Sequence, residues 1–157
     1  MSDMTFNKLE IIGDVSQISE VRSFLQGSPF EDGSERYIDF NKIIPIPSGI
    51  VRQDDINKWR WDNWGIGKNA CKQWEDLPNT IVFKTEYLPV LELMKKLSSL
   101  FPDIEFMYGF DYANIVEATW DSYHIKDGVE VLIGQYDGRD CPPIFSKKEE
   151  HLWDIPF

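Results

Sequence analysis

The chain has 157 residues, of which 42% are hydrophobic and 14% are aromatic, and its formal net charge is −11. That length and apolar content suffice for one domain with its own core, so neither a disulfide nor a metal is required to stabilise it. A strongly acidic surface repels phosphate backbones, which argues against direct binding of nucleic acid. The same charge favours a protein partner with a basic surface, and it also fits an acidic protein without such a partner.

The cysteines and the apolar runs limit the cofactors and the compartment. The chain contains two cysteines, Cys71 and Cys141. Two thiolates are too few for an iron–sulfur cluster or a four-cysteine zinc site, and an isolated pair is more typical of free cytosolic thiols than of a disulfide framework. No segment has the length and apolar character of a signal peptide or a membrane-spanning helix. These features predict a cytoplasmic protein with no cofactor and no membrane contact.

The first part of the chain predicts a strand followed by a helix. Residues 6–12 are rich in apolar and β-branched side chains, and a glycine follows them. Asp14 and Gln17 have the spacing of a capping box, and apolar residues then recur at helical intervals up to Leu25. Gly27 is placed to end this helix in the left-handed conformation.

The next part of the chain is less regular. Residues 37–40 predict a short strand, and Pro45 and Pro47 prevent a long central strand after it. Residues 48–79 show weak periodicity, although they hold four of the six tryptophans. An irregular connection of that length is usually functional, or it is fixed by its own side chains.

The second half of the chain predicts four strands and one helix. Residues 79–85 predict a buried strand, residues 89–102 an amphipathic helix and residues 104–110 another strand. Asp127-Gly128 is a hairpin turn signal between two strand-like runs. The order predicts an α+β domain of the ferredoxin-like βαββαβ type, in which two helices cover one face of an antiparallel sheet. It also predicts a long Trp-rich insertion and a C-terminal β-hairpin extension.

We expect these elements to form a single domain over residues 1–157, with a core at about residues 6–136 and a C-terminal tail at residues 137–157. The tail is rich in proline, charged and aromatic residues. Its candidate partner-binding residues are Phe145, Trp153 and Phe157. They could form a short linear motif for a partner, or they could pack along the domain.

Four stretches occur in an order that is more specific than any one of them: “NKLEIIGDVSQISEVRSFLQG”, “FNKIIPIP”, “NWGIGKNA” and “VFKTEYLPVLELMKKLSSLFPDIEF”. Together they resemble the YubB ferredoxin-like family of plasmid and phage proteins, over roughly residues 6–108. Residues 65–68 read Gly-Ile-Gly-Lys where the family pattern has Gly-Thr-Lys, so the turn is altered. The resemblance implies a ferredoxin-like fold and a mobile-element accessory protein of unknown function, and it supplies no catalytic residue.

The glycines of the third stretch do not indicate a phosphate-binding loop. A dinucleotide site requires a strand directly before its glycines, and “WRWDNW” is not a convincing strand. A Walker A loop also fails, because Asp62 stands where its first glycine should be and Asn69 replaces the Ser or Thr that binds magnesium. The favoured interpretation is a glycine turn that folds two tryptophans back onto the sheet.

The candidate binding residues lie in and around this turn. Indole rings stack on bases or anchor protein partners, so at least one exposed tryptophan would indicate a binding surface. The alternative is packing, in which Trp64 and Trp74 fix the long connection to the domain. The candidates are Trp59, Trp61, Asn63, Trp64, Lys68 and Trp74.

Metal and acid–base chemistry find little support in the sequence. His124 and His151 lack the spacing to further ligands that a zinc site needs, so no metal is expected. Asp121 lies on the opposite face of the strand from His124, which denies a His–Asp pair there. Glu117, Thr119 and Asp121 share one strand face, but this pattern is more typical of a solvated sheet face than of a catalytic pair.

The sequence therefore predicts no catalytic residue, and no nucleophile motif is present. We expect a non-enzymatic, acidic protein-binding module, encoded by a phage or plasmid, that acts on a host or defence factor. The alternative is a small-molecule or nucleotide binder or enzyme whose pocket is lined by residues 59–74.

Overall fold

The computed structural model describes residues 4–112 and 119–137, which form a sheet and the helices that cover it. The strands are β1 (Met4–Ile12), β2 (Cys71–Leu77), β3 (Thr80–Glu86), β4 (Glu105–Tyr112), β5 (Thr119–Lys126) and β6 (Val129–Asp137). The helices are α1 (Val15–Leu25), α2 (Phe40–Ile43), α3 (Gln53–Trp64) and α4 (Leu91–Leu100). No helix within these residues is both long and apolar enough to cross a bilayer.

The six strands form one antiparallel sheet in the order β2-β3-β1-β4-β5-β6. The first strand is central, because β1 pairs with β3 on one side and with β4 on the other. The last two strands extend the sheet beyond β4. The α+β class and the antiparallel sheet that the sequence predicts are therefore confirmed.

The four helices contribute side chains to one hydrophobic core on a single face of the sheet. Successive residues of a strand point to opposite faces, and on β1 the residues that join this core are Leu9 and Ile11. Met4, Phe6 and Val82 point to the opposite face, where they are buried but do not belong to that core. Both faces of the sheet centre are thus buried.

The N-terminus of α1 has the predicted capping box. Asp14 Oδ1 accepts a hydrogen bond from the Gln17 amide at 2.8 Å, and the Asp14 amide donates to Gln17 Oε1 at 3.0 Å. The predicted left-handed end at Gly27 is wrong, because the helix ends at Gln26 in extended backbone with φ −66° and ψ 126°. A Cβ atom at Gly27 would lie 2.7 Å from Oδ2 of Asp39, so glycine lets the following segment pass close to the helix end.

The predicted strand at residues 37–40 is wrong. Asp39 accepts a hydrogen bond from the Asn41 amide at 2.9 Å and caps the short helix α2. Ile38 and Phe40 are both fully buried, so their alternation reflects an extended segment that leads into a helix instead of a strand.

Residues 48–79, which were expected to be irregular, contain both α3 and β2. The helix has few buried residues, and only Trp64 is fully buried. The strand lies at the edge of the sheet and has two register shifts against β3. Each element therefore lacks the apolar periodicity that would have revealed it.

The remaining predicted elements are confirmed within the described residues. The strands predicted at 6–12, 79–85 and 104–110 correspond to β1, β3 and β4, and the helix predicted at 89–102 corresponds to α4. Asp127 and Gly128 connect β5 to β6 with φ values of 48° and 77°, as the predicted hairpin turn requires. The sequence candidates Glu117, Cys141, Phe145, His151, Trp153 and Phe157 lie outside the described residues.

Candidate functional site

Two tryptophans fix α3 to the core. Trp64 is only 2% exposed, and its Nε1 donates a hydrogen bond to the backbone oxygen of Ile44 at 2.9 Å. Its ring packs edge-on against Phe40, with the ring centroids 5.8 Å apart. Trp59 is partly buried and packs edge-on against Trp64 at the same centroid distance of 5.8 Å. These two side chains decide which face of α3 points inward.

Trp61 remains outside, with 52% of its surface exposed. Trp61 lies three positions before Trp64, only about 60° away around the helix axis, so its exposure reflects how little packs against it at the edge of the buried face. Gly65 ends the helix in the left-handed conformation with φ 74°, and the chain turns back beneath the indole. A Cβ atom at Gly67 would lie 2.8 Å from Trp61 Nε1. Gly65 therefore allows the turn, and Gly67 leaves room for the Trp61 ring.

A cleft of about 340 Å³ opens between α3, this turn and the end of β3. We call it the Trp61 cleft. Its lining residues come from three places in the sequence, namely α3, the turn after it, and the last residue of β3 with the residue that follows. They are Gln53, Asn57, Arg60, Trp61, Ile66, Gly67, Lys68, Glu86 and Tyr87.

Tyr87 holds a second aromatic ring at the Trp61 cleft and is 48% exposed. Its backbone has φ 68°, a left-handed conformation that costs a non-glycine residue on the order of 1–3 kcal/mol. Two hydrogen bonds hold this turn: Thr5 Oγ1 donates to the backbone oxygen of Tyr87 at 2.9 Å, and Thr85 Oγ1 donates to that of Leu88 at 2.6 Å. The fold therefore maintains Tyr87 in a costly conformation beside Trp61.

The charges in the Trp61 cleft include one ion pair. Lys68 Nζ lies 3.0 Å from Glu86 Oε2, and this hydrogen bond raises the pKa of the Lys68 ammonium. Arg60 lies over the Trp64 ring, with Cζ 5.5 Å from the ring centroid, one helical turn before it. Two cations and one carboxylate thus stand beside two exposed aromatic rings. Such a site can bind a flat or apolar group and can pair with a charge next to it.

The Trp61 cleft brings together two of the six sequence candidates, Trp61 and Lys68. Trp59 and Trp64 belong to the core side of α3. Asn63 is exposed, and its Nδ2 donates to the backbone oxygen of Trp59 at 2.8 Å. Trp74 lies on β2, away from the cleft, and packs edge-on against Phe6 with the ring centroids 5.8 Å apart.

Other cleft residues were missed from the sequence. Gln53, Asn57 and Arg60 follow the exposed side of a helix that the weak periodicity hid. Tyr87 lies in “TEYLP”, where a proline two residues later indicates a turn after the strand. That signal could have marked a loop, but it could not have shown that the loop faces Trp61.

A second group of perturbed residues lies on the sheet face opposite the core. Phe6 pairs with Lys84 on one side and with Asp111 on the other. Burial lowers the pKa of Lys84 to about 8, and its Nζ lies 4.9 Å from the centroid of the Phe6 ring. Burial also raises the pKa of Asp111 to about 6. The sequence signal was a charged residue, Lys84 or Asp111, next to the apolar run of each strand.

The remaining titratable candidates do not form a shared centre within the described residues. His124 Nε2 on β5 lies 3.8 Å from Glu105 Oε1 on the neighbouring strand β4. Burial raises the pKa of the Cys71 thiol, so this residue favours the protonated form at neutral pH. In residues 4–112 and 119–137, no group of three or more His, Cys, Asp or Glu side chains is arranged to hold a metal ion.

Comparison with known proteins supports the fold. No family model and no curated protein matches the chain. The crystal structure of protein api92 from Yersinia pseudotuberculosis, described with the family model DUF1281, is similar with a TM-score of 0.57 and 11% sequence identity. The similarity covers 91% of this chain and 100% of that chain. At this identity the comparison shows a shared α+β fold.

Proposed function

We propose that this chain is a protein-binding module without catalytic activity, and that the Trp61 cleft is its contact surface. The observation that carries the proposal is the half-exposed indole of Trp61, which lies over Gly67 in a cleft that the exposed Tyr87 also lines. Single exposed apolar residues are common on protein surfaces. Two exposed aromatic residues that line one cleft, one of them with a strained backbone, are instead typical of the few residues that dominate binding energy.

The net charge of −11, and not the lining of the cleft with its two cations and one carboxylate, favours a partner with a basic surface. Asp54, Asp55 and Asp62 are exposed on α3, which forms one wall of the cleft. Charges at the rim of an interface accelerate association and select the partner, whereas the central aromatic residues supply most of the affinity. The partner would insert an apolar or aromatic side chain between Trp61 and Tyr87. The resemblance to a plasmid and phage family supports a host or defence factor as this partner.

The fold assignment within this proposal is a ferredoxin-like βαββαβ core that is extended by the β5–β6 hairpin. It is supported by the order β2-β3-β1-β4 with antiparallel pairing throughout. In this assignment α1 and α4 are the two helices of the core, and α2 and α3 are the insertion. An experimental structure in which β1 pairs with strands other than β3 and β4 would overturn the assignment.

A small-molecule or nucleotide ligand is the second candidate for the same cleft. Its volume of about 340 Å³ lies at the lower end of the range of roughly 300–1,000 Å³ that is typical of ligand pockets. Arg60 and Lys68 beside two aromatic rings would suit an anionic group attached to a flat ring.

One set of variants separates these candidates. Immobilised wild type, Trp61→Ala and Leu77→Ala are exposed to a lysate of a bacterial host, and the retained proteins are quantified by mass spectrometry. Leu77 is the matched control, because it is 53% exposed and lies on β2 outside the Trp61 cleft. We expect a protein that wild type and Leu77→Ala retain and that Trp61→Ala retains at least tenfold less, since the truncation removes an aromatic anchor.

Equal retention by all three proteins, or no retained protein at low salt, would contradict the protein-binding proposal. Titration of a nucleotide and metabolite panel, followed by tryptophan fluorescence, tests the second candidate. A saturable change that Trp61→Ala abolishes and Leu77→Ala preserves would favour the small-molecule function instead. Thermal unfolding followed by circular dichroism checks that each variant is folded.

A further inference from the structure

The outer edge of β6 exposes a run of apolar side chains. Within residues 4–112 and 119–137, β6 is the last strand of the sheet and pairs only with β5. The exposed fractions are 64% for Val129, 56% for Val131, 48% for Leu132 and 47% for Ile133. An exposed, long and apolar edge strand presents unpaired backbone groups that can bind another strand.

The opposite edge of the same sheet, which β2 forms, is protected against pairing with another strand, whereas β6 lacks this protection. β2 has two register shifts against β3, and charged Lys72 is exposed on it. Irregular pairing and charge are the devices by which natural sheets prevent edge-to-edge association. β6 has one register shift, at Ile133, and before its last residue, Asp137, it contains a single charged residue, Glu130.

That single charge is already neutralised. Glu130 Oε2 lies 3.1 Å from Lys95 Nζ of α4. Its backbone hydrogen bond, followed by the hydrogen bond with Lys95, lowers the pKa of the Glu130 carboxyl. Over residues 129–136, the edge of β6 therefore opposes no like charge to another copy of itself.

We propose that β6 is the contact edge of a homodimer, in which two copies of β6 pair antiparallel and join two six-stranded sheets into one. An antiparallel pair of identical strands has a two-fold axis. A residue that lies a given number of positions before the axis therefore faces the residue of the other copy that lies the same number of positions after it. With the axis at Val131 or Leu132, Glu130 faces residue 132 or 134, both of which are uncharged. The apolar residues then face one another, which stabilises an antiparallel pair.

The test compares the oligomeric state of wild type with two valine-to-lysine variants of the full chain. Val131→Lys places a lysine at or beside the two-fold axis, where like charges on paired strands repel. Val15→Lys is the matched control, because Val15 is 85% exposed at the start of α1. Mass is measured by light scattering after size-exclusion chromatography over a concentration series in about 0.15 M salt, where the Debye length is about 8 Å.

We expect wild type and Val15→Lys to reach twice the 18.4 kDa chain mass, and Val131→Lys to raise the dissociation constant at least tenfold. Hydrogen exchange gives a second readout, because the β6 amides that face outward should become protected as the wild-type concentration rises. A wild type that stays monomeric at 100 µM would overturn the proposal, where 100 µM is roughly the scale of a weak association. A dimer that Val131→Lys does not weaken, or that leaves the β6 amides unprotected, would overturn it as well.

Discussion

Asp111 is the residue for which burial conflicts most directly with ionisation. Its Oδ1 is buried, and it has no hydrogen-bond partner among the described residues. Burial without a compensating partner disfavours the charged form, which is why the pKa rises from 3.8 to about 6. Between these two values the folded chain binds more protons than the unfolded chain. The stability from this group is therefore fully present below about pH 4 and is lost as the pH rises through 6.

Replacing this carboxyl with an amide should stabilise the protein at neutral pH. Asp111→Asn keeps the shape of the side chain and cannot ionise, so we expect the free energy of unfolding at pH 8 to increase by on the order of 1–3 kcal/mol. At pH 4 the gain should disappear, because the wild-type carboxyl is then protonated in the folded state. Urea denaturation at the two pH values measures both effects.

The exposed Asp103→Asn variant serves as the control for removal of one charge. It should change the free energy of unfolding by less than about 0.5 kcal/mol at either pH. Identical pH dependence for Asp111→Asn and wild type would contradict the assignment of the raised pKa to Asp111.

At the scale of elements, one polar network joins α4 to the sheet. Val90, the N-cap of α4, has no side-chain cap. Its amide donates a hydrogen bond to the Tyr108 hydroxyl at 2.9 Å, and that hydroxyl donates to Asn7 Oδ1 at 2.5 Å. Asn7 Nδ2 in turn donates to Thr85 Oγ1 at 3.0 Å. Strands β1, β3 and β4 thus satisfy a donor at the start of the helix.

Removal of the Tyr108 hydroxyl should destabilise the protein out of proportion to one oxygen atom. Tyr108→Phe leaves the buried Asn7 oxygen and the Val90 amide without this partner, and each unsatisfied group costs roughly 1–3 kcal/mol. We expect the free energy of unfolding to fall by about 2–4 kcal/mol in urea denaturation. Tyr87→Phe, at an exposed tyrosine, should change it by less than about 0.5 kcal/mol. Equal losses in the two variants would show that the network contributes nothing specific.

The elements with strong local signals were predictable, and the others were not. The capping box of α1, the apolar stripe of α4 and the Asp127-Gly128 turn each encode their structure within a few residues. By contrast, β2 is polar because it is an edge strand, and α3 is polar because it buries little beyond Trp64. Their structure depends on contacts with distant residues, so periodicity could not reveal them.

The residues of the candidate site could also be predicted only in part from the sequence. The sequence predicted that a tryptophan in residues 59–74 would either pack or bind, and α3 divides these roles between Trp64 and Trp61. The choice between them depends on the position of Phe40 and Ile44, which contact Trp64 from another part of the chain. Tyr87 joins the cleft only through the end of β3. Long-range packing of this kind leaves no local pattern.

At the scale of the whole molecule, the sheet order separates the two proposed contact surfaces. Glu86 and Tyr87, at the end of β3, line the Trp61 cleft, whereas β6 lies four strand positions further along the sheet. Neighbouring strands are about 4.8 Å apart, which puts roughly 19 Å between these strands. A protein partner and a second copy of the chain would therefore occupy different ends of the sheet. Pairings such as Asn7 with Phe83, far apart in sequence, create this separation.

The net charge of −11 should give the two surfaces opposite responses to salt. Two identical acidic chains repel each other, and salt screens that repulsion, so raising the salt from 50 to 300 mM should strengthen the β6 dimer. A basic partner is attracted by the same charge, so its binding at the Trp61 cleft should weaken over that range, chiefly through slower association. Light scattering measures the first constant, and surface plasmon resonance with the captured partner measures the second. Binding of the partner to Val131→Lys should respond to salt as in wild type, because β6 lies outside the cleft. A change of both dissociation constants in the same direction would contradict this prediction, because the acidic charge would then not oppose the dimer while it favours the partner.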